Sequence, residues 1–263
     1  MSHLRIWKNR ISGYCRWLFE VNILQTLYFN CKVFPWPVAK KLPVYFFGPV
    51  KFPSLKGKVI LHSEYITSGM VQFGCKQENI IATREPTRIA IDGELVFKGG
   101  NKFAHAVQLL VWNNGKLTYG CNTWMGSFSK VVAFRSVDIG NNFLASWECQ
   151  IFDTDFHFIE QTDTNTIADP NGTVVVGEQV WLGSRSTILK NTSIPNDCIV
   201  AAGSICNKDY TGTCPPGSVL GGAPAKFIKS GVKYVNDRQL EKKLFNYFQQ
   251  AQNFGTVINK SQF

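Results

Sequence analysis

From Val176 onward, every sixth residue reads Val176, Leu182, Ile188, Ile194, Val200 and Cys206. Five are aliphatic and the sixth is a small thiol. Four positions after each of the first five stand Val180, Ser186, Thr192, Cys198 and Ser204, all small or β-branched. Gly, Asn, Asp, Ser and Pro crowd the places between them, and these residues turn a chain. A helix does not give this pattern, because a step of six does not keep to one face of a 3.6-residue turn. A plain strand does not give it either, since it needs alternation over a short run and then a turn. The pattern fits a short strand, a corner and another short strand. Three such units close one triangular coil, and stacked coils place the aliphatic residues in a continuous interior column.

The same spacing occurs upstream in other registers. Ile139, Ala145 and Ile151 form one set, and Tyr119, Met125, Val131 and Val137 another. Ile91, Phe97, Phe103 and Leu109 form a third, less regular set. The stretch "VWNNGKLT" and residues 158–173 interrupt the period and read as loops thrown out of the prism. Such loops cost little closure entropy when their ends are anchored in adjacent coils. Six consecutive matches weigh against a β-sandwich with coincidental spacing over 176–206, and that reading stays open for Ile91–Leu109.

The flanks differ in character. Residues 1–58 are basic and aromatic, with Ile11, Cys15, Leu18, Phe19 and Asn22 at near-helical spacing. Prolines at 35, 37, 43 and 49 then forbid a long helix. Two uses are open for this segment: a cap over the exposed end of the prism, which is favoured, or a basic amphipathic foot on an anionic membrane surface. The prism is expected over 59–230. Residues 231–263 read as a helical tail with Leu240, Leu244, Phe248 and Ala251 on one face. The expected class is thus all-β, with an N-terminal cap segment and a C-terminal α-helix.

Eight scattered cysteines without a C-x-x-C pair read as reduced thiols rather than a disulfide framework. With no apolar run of spanning length and no signal-peptide pattern, the expected location is cytoplasmic, including the cytoplasmic face of the membrane. The net charge of +10 points to acidic partners. Nucleic acid is the weakest of these, because no ordered Lys/Arg stripe with interleaved aromatics is present.

Only four histidines occur, and one of them closes "DTDFH" at 153–157. If that segment is extended, Asp153, Asp155 and His157 point to one side. Asp155 is then the nearer partner for His157. A neighbouring carboxylate raises imidazole basicity and fixes its tautomer, as a general base requires. Alone the triplet is a weak signal, since a surface turn explains most instances. His157 lacks companion histidines for a zinc site, so no metal is expected.

"VVVGEQVWLGSRSTILKNTSIPNDCIVAAGSICNKD" followed by "VLGGAPAKFIK" resembles the hexapeptide-repeat acyltransferases, over about Tyr119–Lys229. The likeness is greatest to the branch that O-acetylates sugars and capsular polysaccharides. The resemblance implies a left-handed parallel β-helix, a homotrimer with sites between subunits, and acetyl-CoA as co-substrate. It implies His157 as the base for direct transfer, with Asp155 in support. Carrier contacts would fall at Trp181, Ser184, Ala202, Asn207, Lys208 and Lys226, although Asn207 stands where relatives commonly have Thr. Asn122, Trp124 and Asp153 are the candidate acceptor contacts. The main reading is an acetyl-CoA-dependent O-acetyltransferase acting on a sugar hydroxyl of a glycan or its precursor. Two alternatives remain at this point: an N-acetyltransferase on a nucleotide-linked amino sugar, and a non-catalytic β-helix scaffold.

Overall fold

The computed structural model describes residues 20–76 and 83–262. Ile11, Cys15, Leu18 and Phe19 lie outside the described residues. The chain winds as a left-handed parallel β-helix with three faces. The first face is a nine-stranded sheet, the second has seven strands and the third six. A coil passes from the first face through a corner to the second, then to the third, and then back. In one such coil these stretches are Trp181–Leu182, Thr187–Ile188 and Thr192–Ile194.

All six residues of the 176–206 period are buried, and so are the five small residues between them. The upstream sets are buried too, including Ile91, Phe97, Phe103 and Leu109, so the prism extends through that stretch. Along the first face the interior column runs Phe46, Phe73, Phe103, Met125, Ala145, Leu182, Val200 and Leu220, each paired with the next.

The loss of period upstream has a geometric cause. Bonded side chains on successive coils are 22 residues apart at Asn101 and Thr123, and 20 apart at Asn122 and Asn142. Between Glu178 and Asn196 the spacing is 18. Larger coils enclose larger side chains: Phe73 stacks on Phe103 at 4.3 Å, and Tyr119 packs on both Phe97 and Phe103. The "VWNNGKLT" stretch is a corner of such a coil and not a loop, since one strand ends at Val111 and the next begins at Lys116. Its turn tolerates no side chain at Gly115, where a Cβ would lie 2.2 Å from the Ala133 carbonyl oxygen.

The prism begins at Val44 rather than at 59. Pro43 and Pro49 sit just outside the strands Val44–Phe46 and Val50–Leu55, and Pro53 falls where the register of the second shifts. Prolines can border or bulge a strand, so they did not exclude sheet here. Helix α1 (Ile23–Val33) covers the open end. Asn22 caps it by accepting the Gln25 N–H at 3.2 Å. The Asn30 amide donates to the Val44 carbonyl and accepts from the Val44 N–H, and Thr26 accepts the Phe46 N–H. These bonds satisfy backbone groups that a terminal strand would leave unpaired. A short turn of helix, α2 (Trp36–Ala39), follows.

At the other end Val219–Gly222 pairs in parallel with Ile199–Val200 and antiparallel with Ala225–Lys229. Helix α3 (Arg238–Phe248) is capped by Asp237, whose carboxylate accepts the N–H groups of Gln239 and Leu240. It stops at Phe248, so Ala251 does not continue its apolar face. The Asn253 side chain turns back onto the Tyr247 carbonyl at 3.0 Å and closes the helix end. The tail leans on the first face, where the Tyr234 hydroxyl donates to the Asn142 carbonyl. All seven cysteines among the described residues are free.

Candidate active site

The largest excursion leaves the prism at the corner between the second and third faces. The strand Gln150–Phe152 ends there, and the chain returns at Gly172 to start Thr173–Val176. Gly172 N–H donates to the Asp153 carbonyl at 2.7 Å, and Asp155 N–H to the Pro170 carbonyl at 2.9 Å. A bridge joins Thr154 to Asn171. The loop therefore starts at Asp153, five residues before the expected break, and its outer part is a hairpin of Glu160–Gln161 with Thr166–Ile167.

Asp153 is fully buried inside this neck. Its carboxylate accepts the backbone N–H groups of Phe134 and Arg135 at 2.7 Å and of Ser136 at 2.8 Å. Burial pushes its carboxyl upward against the pull of those three donors. Asp153 thus ties the loop base to the corner of the preceding coil, and it does not face a substrate.

Asp155 does not partner His157 either. Its carboxylate meets the Lys190 ammonium at 2.6 Å. The expected alternation fails at Phe156, which takes φ +62 and donates its N–H to the Thr154 hydroxyl at 3.0 Å. That turn ends the extended run on which shared orientation depended. The Phe156 ring packs edge-on against Phe134 and Phe152, and Phe134 stacks on Trp112 at 5.1 Å. On the far side of the neck, Arg135 pairs with Asp169 at 2.6 Å. His157 follows this anchored wedge, exposed and without a hydrogen bond or ion pair to any described residue. An imidazole so held is open to an incoming hydroxyl.

The expected carrier contacts divide between places. Asn207 and Lys208 are exposed at the same corner as the His157 loop, beyond Lys190. The Lys208 ammonium lies 5.4 Å from the centre of the Tyr210 ring, and the buried Tyr210 hydroxyl donates to the Ala225 carbonyl at 3.1 Å. Tyr210 therefore links Lys208 to the strand carrying the exposed Lys226. Ser184 and Ala202 lie at the corner between the first and second faces, where Gly203 N–H donates to the Ser184 carbonyl. Trp181 is on the first face, its indole N–H on the Ser146 hydroxyl at 3.1 Å.

Asn122 and Trp124 line a cavity of about 690 Å³ between the first face and the C-terminal tail. Lys98, Lys102, Arg238 and Tyr234 share its wall, with Glu241 as its one carboxylate. In a three-faced prism, the first face lies opposite the corner that bears His157. One chain therefore does not bring Asn122, Trp124 or Trp181 to its own His157.

Lys190, Tyr210 and the cations of the cavity were not singled out from the sequence. The signal for Lys102 was present only in register: it pairs with Trp124 one coil on, across a 22-residue coil that the six-residue period does not reveal.

Over 172 residues the chain is 29% identical to the putative lipopolysaccharide biosynthesis O-acetyltransferase WbbJ of Escherichia coli, covering 61% of this chain and 82% of that protein. The chain thus resembles the hexapeptide-repeat sugar O-acetyltransferases. It is also 26% identical over 143 residues to the galactoside O-acetyltransferase of the same organism, covering 46% of this chain and 65% of that one. In fold it resembles the crystal structure of NeuO, a polysialic-acid-specific acetyltransferase, with a TM-score of 0.52 at 17% identity, over 82% and 91% of the two chains. No protein-family model matches.

Proposed function

We propose that this acetyltransferase moves the acetyl group of acetyl-CoA directly onto a hydroxyl of an acidic glycan or glycan precursor, with His157 as general base. The observation that carries the reading is the exposed His157, held on an anchored loop at the corner that also bears Asn207 and Lys208. His157 takes the hydroxyl proton as the oxygen attacks the thioester carbonyl, and the thiolate of coenzyme A leaves. The proton can then pass to the departing sulfur, so no acyl-enzyme is needed. Lys226 suits a nucleotide phosphate of the carrier as a point charge, and Lys208 offers a second cation at the His157 corner. The exposed small residues at Ala202 and Gly203 admit its pantetheine arm close to the backbone. Such a carrier is a metabolite of the cytoplasm, and we place the reaction there. No helix among the described residues is long and apolar enough to cross a membrane.

The acceptor class comes from the cavity beside Trp124. Lys98, Lys102 and Arg238 have no carboxylate partner among the described residues. Unpaired cations beside an indole and an amide suit a saccharide bearing carboxylate or phosphate groups. Release of free thiol from acetyl-CoA, measured against matched acidic and neutral oligosaccharides, tests this. Acidic acceptors should be used at lower KM, and a preference for neutral ones overturns the assignment. Lys102→Ala with Arg238→Ala should raise KM for acidic acceptors about tenfold while leaving that for acetyl-CoA unchanged.

Lys226→Ala should act on the other substrate. It should raise KM for acetyl-CoA severalfold, by about 1 kcal/mol of lost phosphate contact, with little change in kcat. If Lys226 meets the 3′-phosphate, the variant should lose less with a dephospho-CoA thioester. Equal losses with both carriers would move the lysine away from that phosphate.

A further inference from the structure

Helix α1 is amphipathic the wrong way round for a helix that only caps a core. Its inward residues include the polar Thr26 and Asn30 beside Phe29, all three buried. Its outward face carries Ile23, Leu24, Leu27, Tyr28 and Cys31, all exposed and at spacings that share one side of a helix. Leu24 is 79% exposed, and Trp36 at the start of α2 is 69% exposed. Large aliphatic and aromatic residues thus form one patch over the end of the prism, where a cap made only for solubility would be polar.

In the sequence, the net charge is concentrated in the N-terminal quarter of the chain. Residues 1–63 hold ten Lys and Arg against the single carboxylate of Glu20, a net of +9 out of +10 for the whole chain. Lys32, Lys40, Lys41 and Lys51 are exposed close to the patch in sequence. None of the four has an ion-pair partner among the described residues. The remaining 200 residues are close to neutral. We infer that the capped end of the prism docks on an anionic lipid surface, with Leu24, Leu27, Tyr28 and Trp36 entering the headgroup boundary and the lysines meeting lipid phosphates. An aliphatic face flanked by unpaired cations fits that occupant better than nucleic acid, which offers leucine nothing to bury. The inference does not depend on the reaction proposed above.

Flotation of the full chain with vesicles tests it, comparing phosphatidylcholine alone with phosphatidylcholine containing phosphatidylglycerol. The chain should float with the anionic vesicles and much less with the zwitterionic ones, and salt should weaken the binding. Leu24→Asp with Leu27→Asp should lower partitioning at least about tenfold. Lys40→Glu with Lys41→Glu should lower it several-fold. The substituted side chains are exposed, so an unchanged thermal melt and unchanged turnover on a soluble acceptor should accompany both losses. Absence of wild-type binding to anionic vesicles overturns the inference. So does full binding by the Leu24→Asp, Leu27→Asp variant, which would leave a charge contact without apolar docking. A molar mass that falls in that variant, with no vesicle binding by the wild type, would assign the patch to a second copy of the chain.

Discussion

Replacing His157 with alanine or asparagine should lower turnover by about 10²–10⁴-fold, the usual effect of losing a positioned base, and leave the thermal melt unchanged. The fold does not depend on this side chain, which is exposed and bonded to no described residue. KM for acetyl-CoA should hardly move, because the imidazole acts on the acceptor hydroxyl and not on the nucleotide end of the carrier. The neighbouring carboxylate separates two mechanisms. Asp155 bonds Lys190, so Asp155→Asn should act by loosening the loop rather than by altering the base. Asp155→Asn and Lys190→Met should then cost similar, smaller amounts, and their combination should cost no more than either alone. A large loss in Asp155→Asn with a silent Lys190→Met would mean that the carboxylate swings to His157 during turnover. Near-normal turnover in both His157 variants would remove the histidine from the chemistry.

What could be read from the sequence follows the size of the coils. From 176 to 206 the coil is 18 residues long, each face receives a short strand, and a period of six exposes the whole core. Where the coil lengthens to 20 or 22 residues, the interior still selects Phe97, Phe103 and Tyr119, but their spacing no longer repeats. The corner at 111–118 was therefore taken for a loop. Side-chain roles in "DTDFH" were lost for a different reason. Residue type marked the segment, yet a single left-handed residue at Phe156 reversed the geometry on which the Asp155–His157 pairing rested. Asp153 was listed among the acceptor contacts. Its actual partners are three backbone N–H groups one coil away, and no local reading of sequence can bring those into view. Helix α1 was not marked in the sequence, because the near-helical spacing picked out there ended at Asn22, where the helix begins.

The largest recovery of activity should come from mixing two inactive proteins. We propose a cyclic homotrimer of about 90 kDa, built from 29.6 kDa chains. His157 stands at the corner between the second and third faces, whereas Trp181 lies on the opposite face and Ala202 at the next corner. A carrier held by Trp181, Ser184 and Ala202 can then present its thioester to a histidine only if that histidine comes from a neighbouring chain. Ala202→Trp should block the carrier wall, since Ala202 is exposed and its backbone packs closely beside Gly183. Each variant alone should be nearly inactive. When equal amounts of His157→Ala and Ala202→Trp subunits are dissociated and reassembled at random, half the histidines and half the walls are intact. About a quarter of the sites then combine an intact histidine with an intact wall, so activity should return to about a quarter of wild type. A monomer by light scattering at working concentration would remove the assembly. A trimer whose mixtures stay inactive would place histidine and carrier wall of each site on one chain, and Trp181 and Ala202 would then have to be released from the carrier.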